Sequence, residues 1–280
     1  MPPHPPPMTA ADAAALTDAN FPTIDPNTFD QIPPAVFAVI HQDRFAVLDP
    51  AQAAKITANQ AAQMLAVQLE KIPPNALARM PAAAFQRIPP ARFANLTAGQ
   101  ANALPGRLLA VLARDKFTNM DPAAVAAIDP RVIRSIPVAT LAWTRNAQAA
   151  QMTGDQIEAM DDLQVGAIPT PGKCQMSQDV LKRMAIAHYL QQPHAMATIV
   201  FEYVKANGFN SLSPAWSGNR YYGNREQYYP ALGSGQSYKE FDVFPLMRAP
   251  DRDANRVVIT AHAPHSGYYS NRHYARPRQL

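Results

Sequence analysis

The stretch IPPNALARMPAAAFQRIPPARFANL, residues Ile72–Leu96, shows an eight-residue repeat that decides the fold of the first half of the chain. Each repeat starts with Ile, Leu or Met, and a second apolar residue follows five positions later. Between Ile24 and Ile168, eighteen of the nineteen positions reached in steps of eight hold Ile, Leu or Met. Such regularity predicts one small structural unit per octad.

The residues that follow the first apolar position indicate the local structure. They are often Pro-Pro, Asp-Pro or Thr-Ala, as at Pro73-Pro74 and Asp49-Pro50. Asp and Thr are good N-caps, and proline favours the first helical turn but ends a helix that precedes it. Each octad should therefore form one short helical turn and a bend. Longer helices are expected near residues 60–70 and 106–119, where the proline signal is missing.

No octad can bury its apolar face alone, so neighbouring octads must stack. We predict an all-α solenoid of short helices over residues 21–170, after a disordered Pro- and Ala-rich tail at residues 1–20. The stretch resembles the Ala- and Gln-rich short-helix repeats of large bacterial surface and effector proteins, a likeness of composition that implies no chemistry. Its role is either delivery, docking or spacing, or that of a scaffold without a specific partner.

The charge of the chain changes after residue 173. Residues 1–173 carry 13 Lys and Arg against 14 Asp and Glu, whereas residues 174–280 carry 12 against 7. A basic domain attracts polyanions such as RNA, although charge alone is a weak argument. We predict a linker at residues 171–175 and a separate domain at residues 176–280.

Several kinds of site and segment are not expected. The single cysteine, Cys174, excludes an intramolecular disulfide and a cysteine-based metal site. His262 and His265 have a metal-like spacing but no third ligand nearby, so neither a metal nor a cofactor is predicted. No apolar run of about 18 residues suggests membrane insertion. The start of the chain lacks the pattern of a secretory signal peptide.

The second domain begins with helical patterns at residues 178–191 and 194–206, which Pro193 separates. Strand-like segments follow at residues 220–223, 237–245, 255–262 and 273–275. Helices that precede an antiparallel sheet are typical of an α+β fold.

Charged residues collect on one face of the predicted strand YKEFDVFP. Side chains alternate along a strand, so Glu240 and Asp242 share a face while Phe241 points to the other side, towards the helix. Two carboxylates on such a face require cations, and Arg252 and Arg256 follow shortly after in the chain. Their planar guanidinium groups also suit phosphate oxygens. The alternative is a purely structural network of ion pairs.

Five short motifs of the C-terminal half occur in a recognisable order. They are EYVKANGF, YYGNREQYYPALGSGQSY, YKEFDV, the R-x3-R pair of DRDANRVVIT, and YYSNRHYA. With these motifs, residues 194–276 resemble the microbial guanyl-specific ribonucleases, the family of barnase and of the Streptomyces ribonucleases. The resemblance implies a microbial ribonuclease fold and cleavage of single-stranded RNA after guanosine. The helix predicted at residues 178–191 is a departure from the family pattern.

The resemblance also implies catalytic roles. Glu240 matches the general base that takes the proton of the ribose 2′-hydroxyl, and His273 matches the general acid that protonates the leaving 5′-oxygen. Arg252 and Arg256 match the arginines that hold the phosphate, and Asp242 matches an acid that orients them. The product is a 2′,3′-cyclic phosphate, which is hydrolysed with the two roles exchanged. No metal is needed, because the nucleophile is the substrate's own hydroxyl.

One loop matches the guanine-recognition loop of the family. It consists of Gly223, Asn224, Arg225 and Glu226. Backbone N–H groups of this loop would bond O6 and N7 of guanine, and the Glu226 carboxylate would accept from the N1–H and N2–H donors. Tyr222 and Tyr274 would stack on the base.

Three functions remain open from the sequence. A ribonuclease joined to a repeat resembles the polymorphic toxins of bacterial competition, exported without a classical signal peptide to act in the cytoplasm of a target cell. An acidic immunity protein would then cover the site, and the solenoid would meet an export or docking partner. The alternatives are an inactive RNA-binding or structural protein, and a scavenging ribonuclease, for which the repeat has no explanation.

Overall fold

Contacts divide the chain into two compact units, Met1–Gln151 and Met152–Leu280. The structure, a computed structural model, describes residues 8–212, 218–222, 229–244, 255–261, 264–271 and 277–280, with only the backbone of 218–221. In these residues the first unit contains short helices alone, and the second adds a longer helix and a sheet.

The helices of the first unit follow the octad register, and each is at most two turns long. The α-helices span Ala10–Ala14, Pro26–Phe29, Pro34–Val39, Pro50–Ala53, Ala58–Gln63, Ala66–Lys71, Pro74–Leu77, Ala82–Arg87, Ala98–Ala103, Gly106–Leu109, Arg114–Asn119, Pro122–Ala127, Pro130–Ile133, Val138–Leu141 and Asn146–Gln151. The 3-10 helices span Phe21–Thr23, Gln42–Val47 and Pro90–Asn95. The prediction of one short helix per octad is confirmed.

Two sequence predictions about the first unit are wrong. Both proline-poor stretches form separate short helices. Near residues 60–70, Gln60 forms a capping box with Thr57 and a new helix starts there. Near residues 106–119, the helices Gly106–Leu109 and Arg114–Asn119 are separate without such a box. The tail predicted to be disordered contains the helix Ala10–Ala14, which Thr9 and Asp12 cap in the same way.

Stacking of octads buries both apolar positions of the repeat. Ile72, Met80 and Ile88 are at most 1% exposed. Helices that pack against each other lie three octads apart, as Ala58–Gln63 and Ala82–Arg87 do. The core is therefore shared between turns of the coil, as the inability of one octad to bury itself requires.

Buried glutamines tie each turn of the coil to an earlier one. The Oε1 atom of Gln60 accepts from the backbone N–H of Thr57 at 2.8 Å. Its Nε2 atom donates to the carbonyls of Ile32 at 2.8 Å and Phe29 at 2.9 Å, which lie 28 and 31 residues back. The same donor pattern occurs at Gln52, Gln68, Gln100 and Gln148.

Other donors replace glutamine at the same octad position. The Nε atom of Arg44 bonds the carbonyl of Leu16 at 2.9 Å, and Thr140 Oγ1 bonds that of Leu112 at 2.8 Å. The buried ammonium of Lys116 donates to a carbonyl that also lies 28 residues back. A buried carbonyl without a donor is costly, so this position serves the backbone of the preceding turn.

The repeat continues into the second unit. Its helices there are Gly154–Ala159, Asp162–Ala167, Thr170–Lys173 and Gln178–Met184, with a π-helical turn at Ala185–Tyr189. His188 stands at the glutamine position, and its Nε2 atom lies 2.8 Å from the carbonyl oxygen of Ile157, again 31 residues back. The octads thus extend to residue 189.

The predicted linker at residues 171–175 is corrected by the structure. Thr170–Lys173 forms an octad helix, and Lys173 and Cys174 are buried. The helix over residues 178–191, assigned from the sequence to the second domain, belongs to the repeat. The repeat therefore ends near Pro193, inside the second compact unit, because the octad register and its spaced hydrogen bonds run up to that point.

The remaining elements are a helix and a sheet. The long helix, Pro193–Asn207, has proline in its first turn, and Gly208 ends it with φ 88°. Antiparallel strands β1 Gly218–Tyr222, β2 Tyr238–Asp242, β3 Arg256–Thr260, β4 Gly267–Ser270 and β5 Arg278–Gln279 form one sheet in sequential order. A helix followed by an antiparallel sheet is the predicted α+β order.

The long helix packs on one face of this sheet, against β3 and β4. A Cβ atom at Gly267 would come within 2.5 Å of the Phe201 ring, so glycine allows this close approach. β4 was not predicted from the sequence. The long helix also contacts the last octads, since Asn207 Nδ2 donates to the Cys174 carbonyl at 3.0 Å.

Candidate active site

Three charged residues of β2 and β3, Glu240, Asp242 and Arg256, lie on the sheet face that is turned away from the long helix. Glu240 pairs with Val258, and Asp242 pairs with Arg256. Glu240 is 7% exposed, Asp242 2% and Arg256 0%. The alternation predicted for β2 is therefore observed, and three ionisable groups are buried on one face.

A buried ion pair joins the two strands. Arg256 Nη1 lies 3.1 Å from Asp242 Oδ1. The same nitrogen donates to the carbonyl of Asn255 at 2.8 Å, and the amide oxygen of Asn255 accepts from the Tyr269 hydroxyl at 2.7 Å. Desolvation of two charges is expensive, so a pair of this kind is weak evidence for stability and invites a functional explanation.

The opposite face supplies the support for these strands. Phe241 contacts Phe209, with ring centroids 6.0 Å apart, and Val257 and Ile259 are fully buried. Because successive residues of a strand point to opposite faces, this apolar packing holds Glu240 and Arg256 in place from behind. Rigid strands are better supports for a reactive group than loops.

An aromatic cluster lies beside Glu240 on the same face. Its members, which we call the tyrosine cluster, are Tyr222, Tyr229, Tyr238 and Tyr268 together with Val258. Burial, and then the neighbouring Tyr268, raises the pKa of Tyr238 to about 12. The hydroxyl of Tyr238 donates to the Pro230 carbonyl at 2.8 Å.

Tyr222, which was predicted to stack on the base, lies inside this cluster. It is 8% exposed, and its ring contacts Tyr229 at 5.3 Å and Tyr238 at 6.5 Å. A ring that is already covered by two others is part of the core. Sequence reasoning missed Tyr229 and Tyr268 as members of this face, because strand alternation indicates only Tyr238.

Arg220 is a further residue that sequence reasoning missed. In the β1–β2 ladder it lies directly opposite Glu240.

The other predicted site residues lie outside the described part of the chain. They are Arg252, His273, Tyr274, Gly223, Asn224, Arg225 and Glu226. Of the predicted set, the structure thus brings together Glu240, Asp242 and Arg256, with Tyr222 beside them.

A cavity of about 470 Å³ opens at the start of the long helix. His194, Tyr269, Asn271 and Arg278 contribute to its lining. Tyr269 follows the same alternation as Val257, its partner in the ladder, so the cavity lies on the helix side and not on the Glu240 side.

No group of three or more His, Cys, Asp and Glu side chains within the described ranges could hold a metal ion. In the same part of the chain, no helix is long and apolar enough to cross a membrane. Comparisons of this chain with family models, with curated proteins and with solved structures found no match.

Proposed function

We propose that residues 193–280 form a metal-independent endoribonuclease of the microbial guanyl-specific type. It cleaves single-stranded RNA after guanosine and leaves a 2′,3′-cyclic phosphate, which it then hydrolyses. The observation that carries the proposal is the burial of Glu240, Asp242 and Arg256 on one sheet face, with the Asp242–Arg256 pair at 3.1 Å.

In the proposed reaction, the Glu240 carboxylate takes the proton of the ribose 2′-hydroxyl. The 2′-oxygen attacks phosphorus, and the bond from phosphorus to the 5′-oxygen breaks as His273 donates a proton to that oxygen. Arg256 and Arg252 stabilise the charge that develops on the phosphate. Water then opens the cyclic phosphate, with His273 as base and Glu240 as acid.

The buried pair supports the part given to Arg256. A guanidinium group held by Asp242 keeps its orientation before the substrate arrives, so little reorganisation accompanies the reaction. Recognition of guanine is assigned to the loop Gly223–Glu226, with Glu226 accepting from the base.

The test is an assay of the purified chain on oligoribonucleotides that contain a single G, A, C or U, in excess EDTA. We expect cleavage after G and a cyclic phosphate product. Glu240→Gln and His273→Ala should each lower the rate by about two to four orders of magnitude. Glu202→Gln, a change of a helix carboxylate that bonds Lys205, is the matched control. Wild-type protein that leaves all four RNAs intact would disprove the proposal.

We propose in addition that the enzyme is the toxic part of an interbacterial effector that is exported and acts in the cytoplasm of a target cell. An acidic immunity protein would bind over the arginines, and the octad repeat would bind an export or docking partner. Expression of the chain in bacteria should stop growth, and Glu240→Gln should relieve this. Full growth with active wild-type enzyme would favour a scavenging ribonuclease, and RNA binding without cleavage an inactive binding protein.

A further inference from the structure

Asn255, the residue directly before β3, makes hydrogen bonds through both its backbone and its side chain. Its backbone carbonyl accepts from Arg256 Nη1 at 2.8 Å and from the Val243 N–H at 3.3 Å. Its amide oxygen accepts from the Tyr269 hydroxyl at 2.7 Å. The Tyr269 hydroxyl therefore bonds the same residue whose carbonyl bonds the guanidinium group of Arg256.

The side chains of Tyr269 and Arg256 lie on opposite faces of the sheet. Val257 and Tyr269 pair in the β3–β4 ladder and point to the side of the long helix. Asn255 lies two residues before Val257, so its side chain points the same way, whereas Arg256 points to the side of Glu240. Asn255 thus connects the packing on the helix side to the guanidinium group on the other side.

Packing against the long helix fixes the Tyr269 ring. Tyr269 is 5% exposed, and its ring meets that of His194 edge to face at 87°, with centroids 5.4 Å apart. His194 lies in the first turn of the helix Pro193–Asn207. Phe201 of the same helix lies against Gly267 at the start of β4. The core therefore holds the Tyr269 hydroxyl in place before any substrate binds.

We infer that Tyr269 is a positioning residue that orients the guanidinium group of Arg256 towards the phosphate. The inference rests on the proposed function, in which Arg256 stabilises the charge that develops on the phosphate. A donor is most effective when its orientation is fixed beforehand, because no reorganisation is then needed in the transition state. Nη1 of Arg256 has Asp242 as one acceptor at 3.1 Å. The bond from Tyr269 fixes the other acceptor, the Asn255 carbonyl.

The experiment measures the cleavage of a guanylyl dinucleotide by the full chain. Tyr269→Phe keeps the ring and removes only the hydroxyl. We expect kcat to fall about fivefold, the size of effect that the loss of one hydrogen bond supports. KM should stay within about twofold, because a group that acts on the developing charge contributes to the transition state rather than to substrate binding.

A double-mutant cycle tests whether Tyr269 acts through Asn255. Asn255→Ala removes the amide oxygen and should also lower kcat about fivefold to tenfold. Addition of Tyr269→Phe to Asn255→Ala should lower kcat by no more than about twofold further, whereas independent effects would multiply. The single variant Asn255→Ala also decides the matter if Tyr269→Phe does not fold.

A matched control separates positioning from general loss of structure. Tyr203→Phe removes the hydroxyl of another buried tyrosine, which lies on the long helix and hydrogen-bonds Gln178. Its kcat should stay within about twofold of the wild-type value, even where its urea midpoint falls as far as that of Tyr269→Phe.

The outcomes for the two proposals are distinct. Wild-type protein that leaves the dinucleotide intact overturns the proposed function and this inference together. Wild-type protein that cleaves it, with an unchanged kcat in folded Tyr269→Phe or in folded Asn255→Ala, overturns the inference alone. Effects of these two changes that multiply in the double variant would also overturn it. So would an equal fall of kcat in Tyr203→Phe, because the effect would then follow stability rather than the position of Arg256.

Discussion

The octad coil and the sheet bury polar groups of different kinds. In the coil, buried donors such as Gln60 and Gln100 are mostly neutral amides that bond backbone carbonyls 28 and 31 residues away. In the sheet, the buried polar side chains include Glu240, Asp242 and Arg256, which are ionisable. Both regions bury polar side chains almost completely, but those of the coil are mostly neutral whereas those of the sheet can carry a charge.

This difference distinguishes buried polar groups that stabilise the fold from buried charged groups that suit a reactive site. A buried amide that satisfies several partners stabilises a fold at little cost, because no charge is removed from water. Removal of a charge from water costs on the order of several kcal/mol, even when the charge is paired. Apolar residues can often replace a buried ion pair without loss of stability. The presence of three buried ionisable groups in a small sheet therefore agrees with a reactive site, whereas the glutamines of the coil account only for its stacking.

The strongest way to sharpen this comparison is to break the charge pair. Arg256→Met leaves the buried Asp242 carboxylate without its cation at 3.1 Å. We expect the free energy of unfolding of the second unit, which contains the sheet, to fall by about 3–5 kcal/mol, as measured by urea denaturation.

The matched double variant, Asp242→Asn with Arg256→Met, removes both charges. It should recover part of the lost stability but none of the proposed RNA cleavage, because the phosphate loses its guanidinium. If Arg256→Met proves as stable as the wild type, the contrast between the two regions fails.

The corresponding change in the coil is Gln60→Leu. The leucine is similar in size but leaves the Thr57 N–H and the carbonyls of Phe29 and Ile32 without this partner. We expect a loss of about 2–3 kcal/mol, less than for Arg256→Met because no charge is stranded. Gln63→Leu, a change of an exposed glutamine in the same helix, is the control and should stay within about 0.5 kcal/mol. Equal losses in the two variants would contradict the role assigned to the octad position.

Lys173, like Lys116, differs from the neutral donors that are usual in the coil, since it places an ammonium group at a core position. Its Nζ atom donates to the Gly166 carbonyl at 3.2 Å and lies 5.9 Å from the Tyr189 ring centroid. Burial lowers the pKa of Lys173 from 10.5 to about 8. Below pH 8 both the folded and the unfolded chain are charged here, so the full cost of burial is present.

We therefore expect Lys173→Met to stabilise the second unit by about 2 kcal/mol at pH 7. Between pH 8 and 10.5 the folded wild type loses its proton while the unfolded chain keeps it, so the advantage of the variant should shrink. Urea midpoints at pH 7 and pH 9.5 measure this, and Lys205→Met, a change of an exposed lysine, should show no such pH dependence. An advantage that is the same at both pH values would contradict the assignment.

Local sequence rules predicted the helices and the faces of the strands better than they predicted which residues are in contact. The octad register predicted the short helices, and strand alternation placed Glu240 and Asp242 together, away from Phe241. The extra octads up to residue 189 were missed because Lys173 and His188 stand where apolar residues or glutamine are usual. β4 was missed because Gly267–Ser270 lacks an alternation of apolar and polar residues.

The sequence by itself determined the repeat length, the helix starts and the two faces of β2, because these depend on neighbours a few residues away. Only the tertiary structure decided which carbonyl each glutamine bonds, that Tyr222 belongs to a cluster with Tyr229 and Tyr268, and that Asp242 is paired with Arg256. Those contacts join residues that lie 7 to 39 positions apart in the chain. No local propensity encodes such pairs, since they form only when strands and turns of the coil have found their register.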